Sequence, residues 1–180
     1  MHPRTLGLLA VIVFILGGSG AYLVKWLDQR AHRPGADYYH ALPDFRFPDP
    51  WGEMHNNAEW AGNVVVLYFW ATWCETCIDE MLELQREYER DHDRGLRIVG
   101  IGLDTASAIA IFGQDMDIDY PLLVADMRGA ELARRLGDRL RRLPFTAVFN
   151  RQGRLVATHV GAWEAARRKA VVAPLLAGAR

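Results

Sequence analysis

Hydrophobic positions fall into three regimes along the chain. Residues 6–24 form a nearly unbroken apolar run with no charged side chain, preceded by Arg4 and followed by Lys25. A run of 19 residues is just enough to cross the hydrocarbon core of a bilayer as a helix. Residues 25–41 are polar, and Pro34-Gly35 breaks any helix there. From residue 42 to residue 180, short apolar runs alternate with longer stretches of helical period, the pattern of one folded domain.

Within that domain, Asp44-Phe45-Arg46-Phe47 alternates and predicts a short opening strand, after which Pro48, Pro50 and Gly52 turn the chain. Residues 56–60 read as a capped helical turn that ends at Gly62. Residues 63–70 are continuous, β-branched and aromatic, which predicts a strand buried on both faces. A helix is expected from about residue 75 to about residue 92. On its wheel Ile78, Met81, Leu84, Gln85 and Tyr88 share the side of Cys77, while Asp79, Glu83 and Arg86 oppose it. Residues 96–103 predict a second buried strand after Gly95, and residues 105–116 a helix capped by Thr105. A third strand is expected over 120–125, and a short helix over 130–136 closed by Gly137. Residues 145–150 and 154–160 form a hairpin around Arg151-Gln152-Gly153. A last helix is expected over 163–172, interrupted near Pro174. Strands alternating with helices, then a hairpin and a helix, specify an α/β domain with a central mixed sheet flanked by helices. Active sites of such sheets gather beyond the carboxyl ends of strands.

The N-terminal run, residues 1–24, has two readings. As a signal peptide it would use residues 6–16 as the apolar segment and Ser19-Gly20-Ala21 as a small-x-small cleavage site. An uncleaved anchor is favoured, because Tyr22-Leu23-Val24 carries the apolar run past the glycines. The expectation is a single-pass protein of the inner, cytoplasmic membrane, with its domain in the periplasm or outside the cell membrane. Lys25, Arg30 and Arg33 outnumber Arg4 and the amino terminus, which runs against the positive-inside bias. A short export-type N-terminus is expected to override that bias.

Composition narrows the function. The net charge is −1 and both signs are mixed along the chain, so no basic field offers itself to nucleic acid. Nothing calls for more than a monomer. With two cysteines there is no disulfide scaffold and no four-cysteine zinc site, and no metal or other cofactor is expected.

Those two cysteines carry the chemistry. They stand in Trp73-Cys74-Glu75-Thr76-Cys77, directly after the buried strand and at the start of a helix. Spaced this way they can make and break a disulfide within one turn, which is a dithiol redox site. Cys74 lies at the helix N-terminus, where free backbone N–H groups and the macrodipole stabilise a thiolate, so it is the expected nucleophile. Cys77, one turn in, is expected to be more buried and to resolve the mixed disulfide. Glu75 puts a carboxylate beside Cys74 and disfavours the thiolate, which points to a reductant. Glu80 falls about 60° from Cys77 on the wheel, at the edge of the apolar face. It is either a partly buried proton partner of Cys77 or a solvated member of a series with Glu83, Glu87 and Glu89.

From here the chain resembles the thioredoxin superfamily, and within it the membrane-tethered TlpA/ResA/CcmG-like thiol–disulfide oxidoreductases. The resemblance spans residues 42–180. It rests on Phe69-Trp70-Ala71-Thr72-Trp73-Cys74-Glu75-Thr76-Cys77, on Leu143-Pro144-Phe145-Thr146, and on Asn150-Arg151-Gln152-Gly153-Arg154-Leu155-Val156. It implies a thioredoxin-like fold, a functional glutamate at Glu80, and a cis peptide bond before Pro144. Beside that bond the Leu143 backbone would pair with an extended substrate. Trp73, Glu75, Thr76 and Leu143 are the residues expected to meet the substrate, and Trp70 to pack in the core. The implied activity is periplasmic reduction of disulfides in exported proteins, of the cytochrome c maturation kind, with electrons from a membrane thiol donor. Two departures stand out. Glu75-Thr76 contains no proline, and Tyr68 stands where thioredoxins carry a buried aspartate, so protons must be handled elsewhere.

Other readings fit less well. A c-type haem site needs histidine where Ile78 stands. A peroxiredoxin-like peroxidase would want other residues at Ala71 and Leu67. A Sco-like copper module spaces its cysteines one residue wider and adds a distal histidine, for which His159 is the candidate. His159 reads better as a structural histidine, and Arg139, Arg141 and Arg142 as a solvated loop. A dithiol oxidant or isomerase on the same fold remains the alternative of direction.

Overall fold

A computed structural model of the chain describes residues 41–178. The expected anchor and all but the end of the expected linker lie outside the described residues. Among the described residues, no helix is long and apolar enough to cross a membrane.

The domain opens with strands β1 (Arg46–Pro48) and β2 (Met54–Asn56), paired antiparallel. A 3-10 turn, Asn57–Trp60, follows, capped by the Asn56 side chain on the Ala58 amide and by Glu59 reaching back to the Asn56 amide. The central sheet holds β3 (Val64–Trp70), β4 (Leu96–Gly102), β5 (Leu122–Val124), β6 (Phe145–Phe149) and β7 (Leu155–Val160). Its order is β5-β4-β3-β6-β7, with β3, β4 and β5 parallel and β6 and β7 antiparallel to their neighbours. Helices α1 (Glu75–Asp91), α2 (Ala106–Asp115), α3 (Asp126–Leu136) and α4 (Ala165–Ala177) cover it.

β3 explains why its sequence is apolar without alternation. Val64, Val66, Tyr68 and Trp70 point into a core shared with Met81 and Leu84 of α1, Ile109 of α2 and Val172 and Leu176 of α4. Val65, Leu67 and Phe69 point the other way, against Leu132, Ala133 and Leu136 of α3 and Phe45, Phe47 and Trp60 of the opening segment. Every residue of β3 is buried, as a strand covered on both faces requires.

Four local expectations are corrected. Strand β2 is not apparent from Met54-His55-Asn56, which has one apolar residue and is held by its pairing with β1. Pro48 belongs to β1 rather than to the turn; proline is tolerated there because the strand lies in a two-stranded ribbon. α3 begins at Asp126, not near residue 130: the Asp126 carboxylate accepts from the Arg128 amide and Ala125 O from the Gly129 amide, both at 2.9 Å, so the first turn is closed ahead of the glycine. α4 starts at Ala165 and runs through Pro174 to Ala177. A proline costs about 3 kcal/mol inside a helix. Burying Val172 and Leu176 on the core contributes roughly 1.5–3 kcal/mol each, enough to carry the last turn past it.

Candidate active site

The chain leaves the carboxyl end of β3 at Trp70 and enters α1 at Glu75, so Cys74 is the residue immediately ahead of a 17-residue helix. Cys74 and Cys77 are joined as a disulfide, with Cα atoms 5.3 Å apart. Two backbone hydrogen bonds shape this bend: Cys74 N–H to Ala71 O at 3.1 Å and Cys77 N–H to Cys74 O at 2.9 Å. The Leu103 amide bonds Trp70 O at 2.9 Å, and the Thr72 hydroxyl donates to Asp104, which braces this loop on the one after β4.

The two cysteines are unlike. Cys77 is 0% exposed and Cys74 8%. Around Cys74 lie Trp73, 70% exposed, and the exposed Glu75 and Thr76; the Thr76 hydroxyl is 3.6 Å from Cys74 Sγ. The Leu143-Pro144 bond is cis, as the resemblance implies. Phe145 pairs with Phe69, which fixes Pro144 at the same end of the sheet as the cystine. Pro144 is buried, Leu143 partly so, and Pro144 O accepts from the Gly161 amide at 2.8 Å.

Behind the disulfide lies a buried polar cluster. Glu80 is 4% exposed. Its Oε1 accepts from Arg168 Nη1 at 2.7 Å, and its Oε2 from the Trp163 amide at 3.2 Å and the Tyr68 hydroxyl at 3.4 Å. The Tyr68 hydroxyl is also 3.1 Å from Cys77 O. Burial pushes the Glu80 carboxyl up to about 7, against the opposing pull of Arg168 and the two donors. Burial also raises Tyr68 and Tyr120, and the Glu80 charge adds to both. Of the two readings of Glu80, the solvated one is excluded.

Arg168, Glu87, the Tyr68 hydroxyl and the Trp163 amide are functional candidates that sequence reasoning missed. Arg168 is fully buried and holds Glu87 through two hydrogen bonds, at 2.9 and 3.1 Å. Helical spacing carried a signal for both partners. Arg168, Val172 and Leu176 recur every fourth residue on α4, and Glu80, Glu83 and Glu87 stand at i, i+3 and i+7 on α1. Two other expectations hold. His159 is a structural histidine, its Nε2 3.2 Å from Ala162 O and its ring stacked on Trp163, and Arg139, Arg141 and Arg142 are exposed.

Residues 39–172 match the Redoxin family. The chain is 25% identical over 156 residues to the thiol-disulfide oxidoreductase ResA of Bacillus subtilis (strain 168), covering 86% of this chain and 82% of that one. It is 23% identical over 155 residues to the thioredoxin-like protein YneN of the same organism, covering 84% and 86%. A solved structure, a thiol:disulfide interchange protein of the thioredoxin family from Chlorobium tepidum TLS, superposes with a TM-score of 0.67 at 22% identity. It covers 76% of this chain and 96% of that chain, and shows the thioredoxin-like fold. Because the family match takes in most of the folded domain and both cysteines, the chain belongs to the Redoxin family, and it is a thiol–disulfide oxidoreductase of the TlpA/ResA/CcmG-like part of the thioredoxin superfamily.

Proposed function

We propose that this protein is a disulfide reductase for exported proteins, held at the inner membrane by residues 1–24, with its domain in the periplasm or outside the cell membrane. Its substrates would be protein disulfides of the cytochrome c maturation kind, and its electrons would come from a membrane thiol donor. The observation that carries the reading is the asymmetry of the cystine: only Cys74 has a surface, and it sits at a helix N-terminus beside the exposed carboxylate of Glu75. That carboxylate opposes the helix dipole, destabilises the Cys74 thiolate and lowers the potential.

In the proposed cycle the Cys74 thiolate attacks one sulfur of the substrate disulfide. A Cys74–substrate bond forms, the substrate S–S bond breaks, and the departing sulfur takes a proton from solvent. Glu80 accepts the proton of the Cys77 thiol. The Cys77 thiolate then attacks Cys74 Sγ, closing the intramolecular disulfide and releasing the second substrate thiolate, which is protonated in turn. The substrate gains two electrons from the dithiol and two protons, one of them drawn from solvent; the protein loses the two electrons and, once Glu80 releases it to solvent, the single thiol proton of Cys77. Trp73, Thr76, Leu143 and Pro144 would line the path of the substrate chain, with the Leu143 backbone free to pair with it.

The test is the reduction potential of the full-length chain, equilibrated in defined thiol buffers. A value near or below about −270 mV supports a reductase with a dedicated donor. A value near about −120 mV would replace this reading with a dithiol oxidant.

A further inference from the structure

Helix α4 carries one charge into the interior. Val172 and Leu176 form its apolar stripe, and Arg168 takes the same stripe one turn earlier, fully buried. A buried cation persists only where it is paired and its donors are used. Arg168 Nε and Nη2 bond Glu87 Oε2 and Oε1 at 3.1 and 2.9 Å, and Nη1 bonds both Glu80 Oε1 and Trp163 O at 2.7 Å. Glu83 stands at the rim, half-exposed, 3.6 Å from Nη2.

The cluster holds more negative charge than positive. Glu80 and Glu87 are both buried and share one guanidinium, and Glu83 adds to the same side. The buried part, Glu80 and Glu87, sets two carboxylates against one guanidinium, and burial disfavours the charge left uncompensated. The two buried carboxylates are not equivalent. Glu87 receives the guanidinium fork on both oxygens, the bidentate arrangement that gives a planar guanidinium its strongest pairing. Glu80 receives a single guanidinium N–H, and its other oxygen meets an amide and a phenol. The groups facing Glu80 are Tyr68 from β3, Tyr120 ahead of β5, Glu83 and Glu87 from its own helix, and Arg168 with the Trp163 amide from the α4 side. Arg168 is the cation among them.

We propose that Arg168 is a positioning residue for the dithiol reaction: by committing its fork to Glu87, it leaves Glu80 half-neutralised one turn behind Cys77, and so makes Glu80 the carboxylate that exchanges the reaction's proton. Glu87 is the partner of the fork, and α4 is the element that sets the balance. The inference rests on the role of Glu80 proposed above.

The test is the pH dependence of the reduction potential, measured on the full-length chain, with the melting temperature of each variant recorded beside it. Glu87→Gln frees the guanidinium for Glu80, and the inflection owed to Glu80 moves down by about one pH unit or more. Arg168→Met removes the cation, and the inflection moves up. Arg168→Lys keeps the charge without the fork and gives an intermediate position. If Arg168→Met does not fold, Glu87→Gln decides alone, since it keeps a buried cation with a carboxylate partner. An inflection that stays in place in Glu87→Gln while only stability falls would make Arg168 a structural strut and overturn the proposal. Glu80→Gln separates the two levels. If it abolishes the inflection and Glu87→Gln does not move it, only the role of Arg168 fails. If the inflection survives Glu80→Gln, the role of Glu80 fails and the proposal falls with it.

Discussion

Arg168 and Glu80 stand 88 positions apart in sequence and 2.7 Å apart in the fold, with side chains 0% and 3% exposed. This pair ties the last helix to the turn that follows the redox cystine. It makes the C-terminal helix part of the site's electrostatics and not only a cover for the sheet.

A pH dependence of stability follows from Glu80. Its folded carboxyl is pushed up to about 7 from the ordinary 4.5, so between those values the native state holds a proton that the unfolded chain has released. The contribution is therefore present below about pH 4.5 and lost as pH rises through about 7. Its size is on the order of 3 kcal/mol. Urea unfolding at pH 5 and pH 8 measures it: the wild type should be the more stable at pH 5, and Glu80→Gln should flatten the difference. An equal difference in the variant would show that another group titrates.

Tyr68→Phe probes the same site from the sheet. The phenol bonds Cys77 O and Glu80 Oε2 at 3.1 and 3.4 Å. Its removal takes one donor from the ionised carboxylate, so the Glu80 carboxyl moves further up. The lost hydrogen bonding costs about 1 kcal/mol of stability. Titration of the wild type and the variant, followed by thiol reactivity after reduction, reads the direction; a downward move would refute the contact.

Most of the frame was legible in the sequence because it rests on local rules. β3 betrayed itself as an apolar, β-branched run, Thr105 caps α2, and Gly95 and Gly137 close their elements at positive φ. The cysteines were legible for the same reason: a C-x-x-C at a strand–helix junction is a local arrangement. What escaped depends on distant partners. Strand β2 exists because β1 lies opposite it. Glu80 could not be told from a solvated glutamate, because its burial is set by Trp163 and Arg168, more than 80 residues away. Glu87 looked like a surface residue until its counter-ion was found on α4.

Gly129 offers a test in which local and tertiary rules oppose each other. In a helix interior, Gly→Ala gains up to about 1 kcal/mol of propensity. Here a Cβ would stand 2.6 Å from Leu103 Cδ2 and 2.7 Å from Ala125 Cβ. Overpacking of that kind costs about 1–3 kcal/mol, so Gly129→Ala should be net destabilising and lower the melting temperature by a few degrees. A variant that melts higher would mean that Leu103 gives way without strain.

The asymmetry of the cystine predicts which single-cysteine variant traps a partner. Cys77→Ser leaves Cys74 at the helix start, where the residue keeps some surface and its thiolate is favoured by the helix N-terminus. It should form a stable mixed disulfide with a peptide disulfide, since no second thiol remains to resolve it. Cys74→Ser leaves only Cys77, 0% exposed beneath the helix start, and should form the adduct at least tenfold more slowly, because access rather than intrinsic reactivity limits it. Intact mass measured over a time course of peptide disulfide distinguishes the two. Trp73→Ala, at a side chain 70% exposed, belongs in the same series. Its effect on stability should stay within about 0.5 kcal/mol, because the indole is exposed and not core; if it is contact surface for the incoming chain, as proposed, adduct formation in the Cys77→Ser background slows. Equal adduct rates for the two cysteine variants would remove the asymmetry on which the proposed order of attack rests, and a faster Cys74→Ser variant would reverse that order.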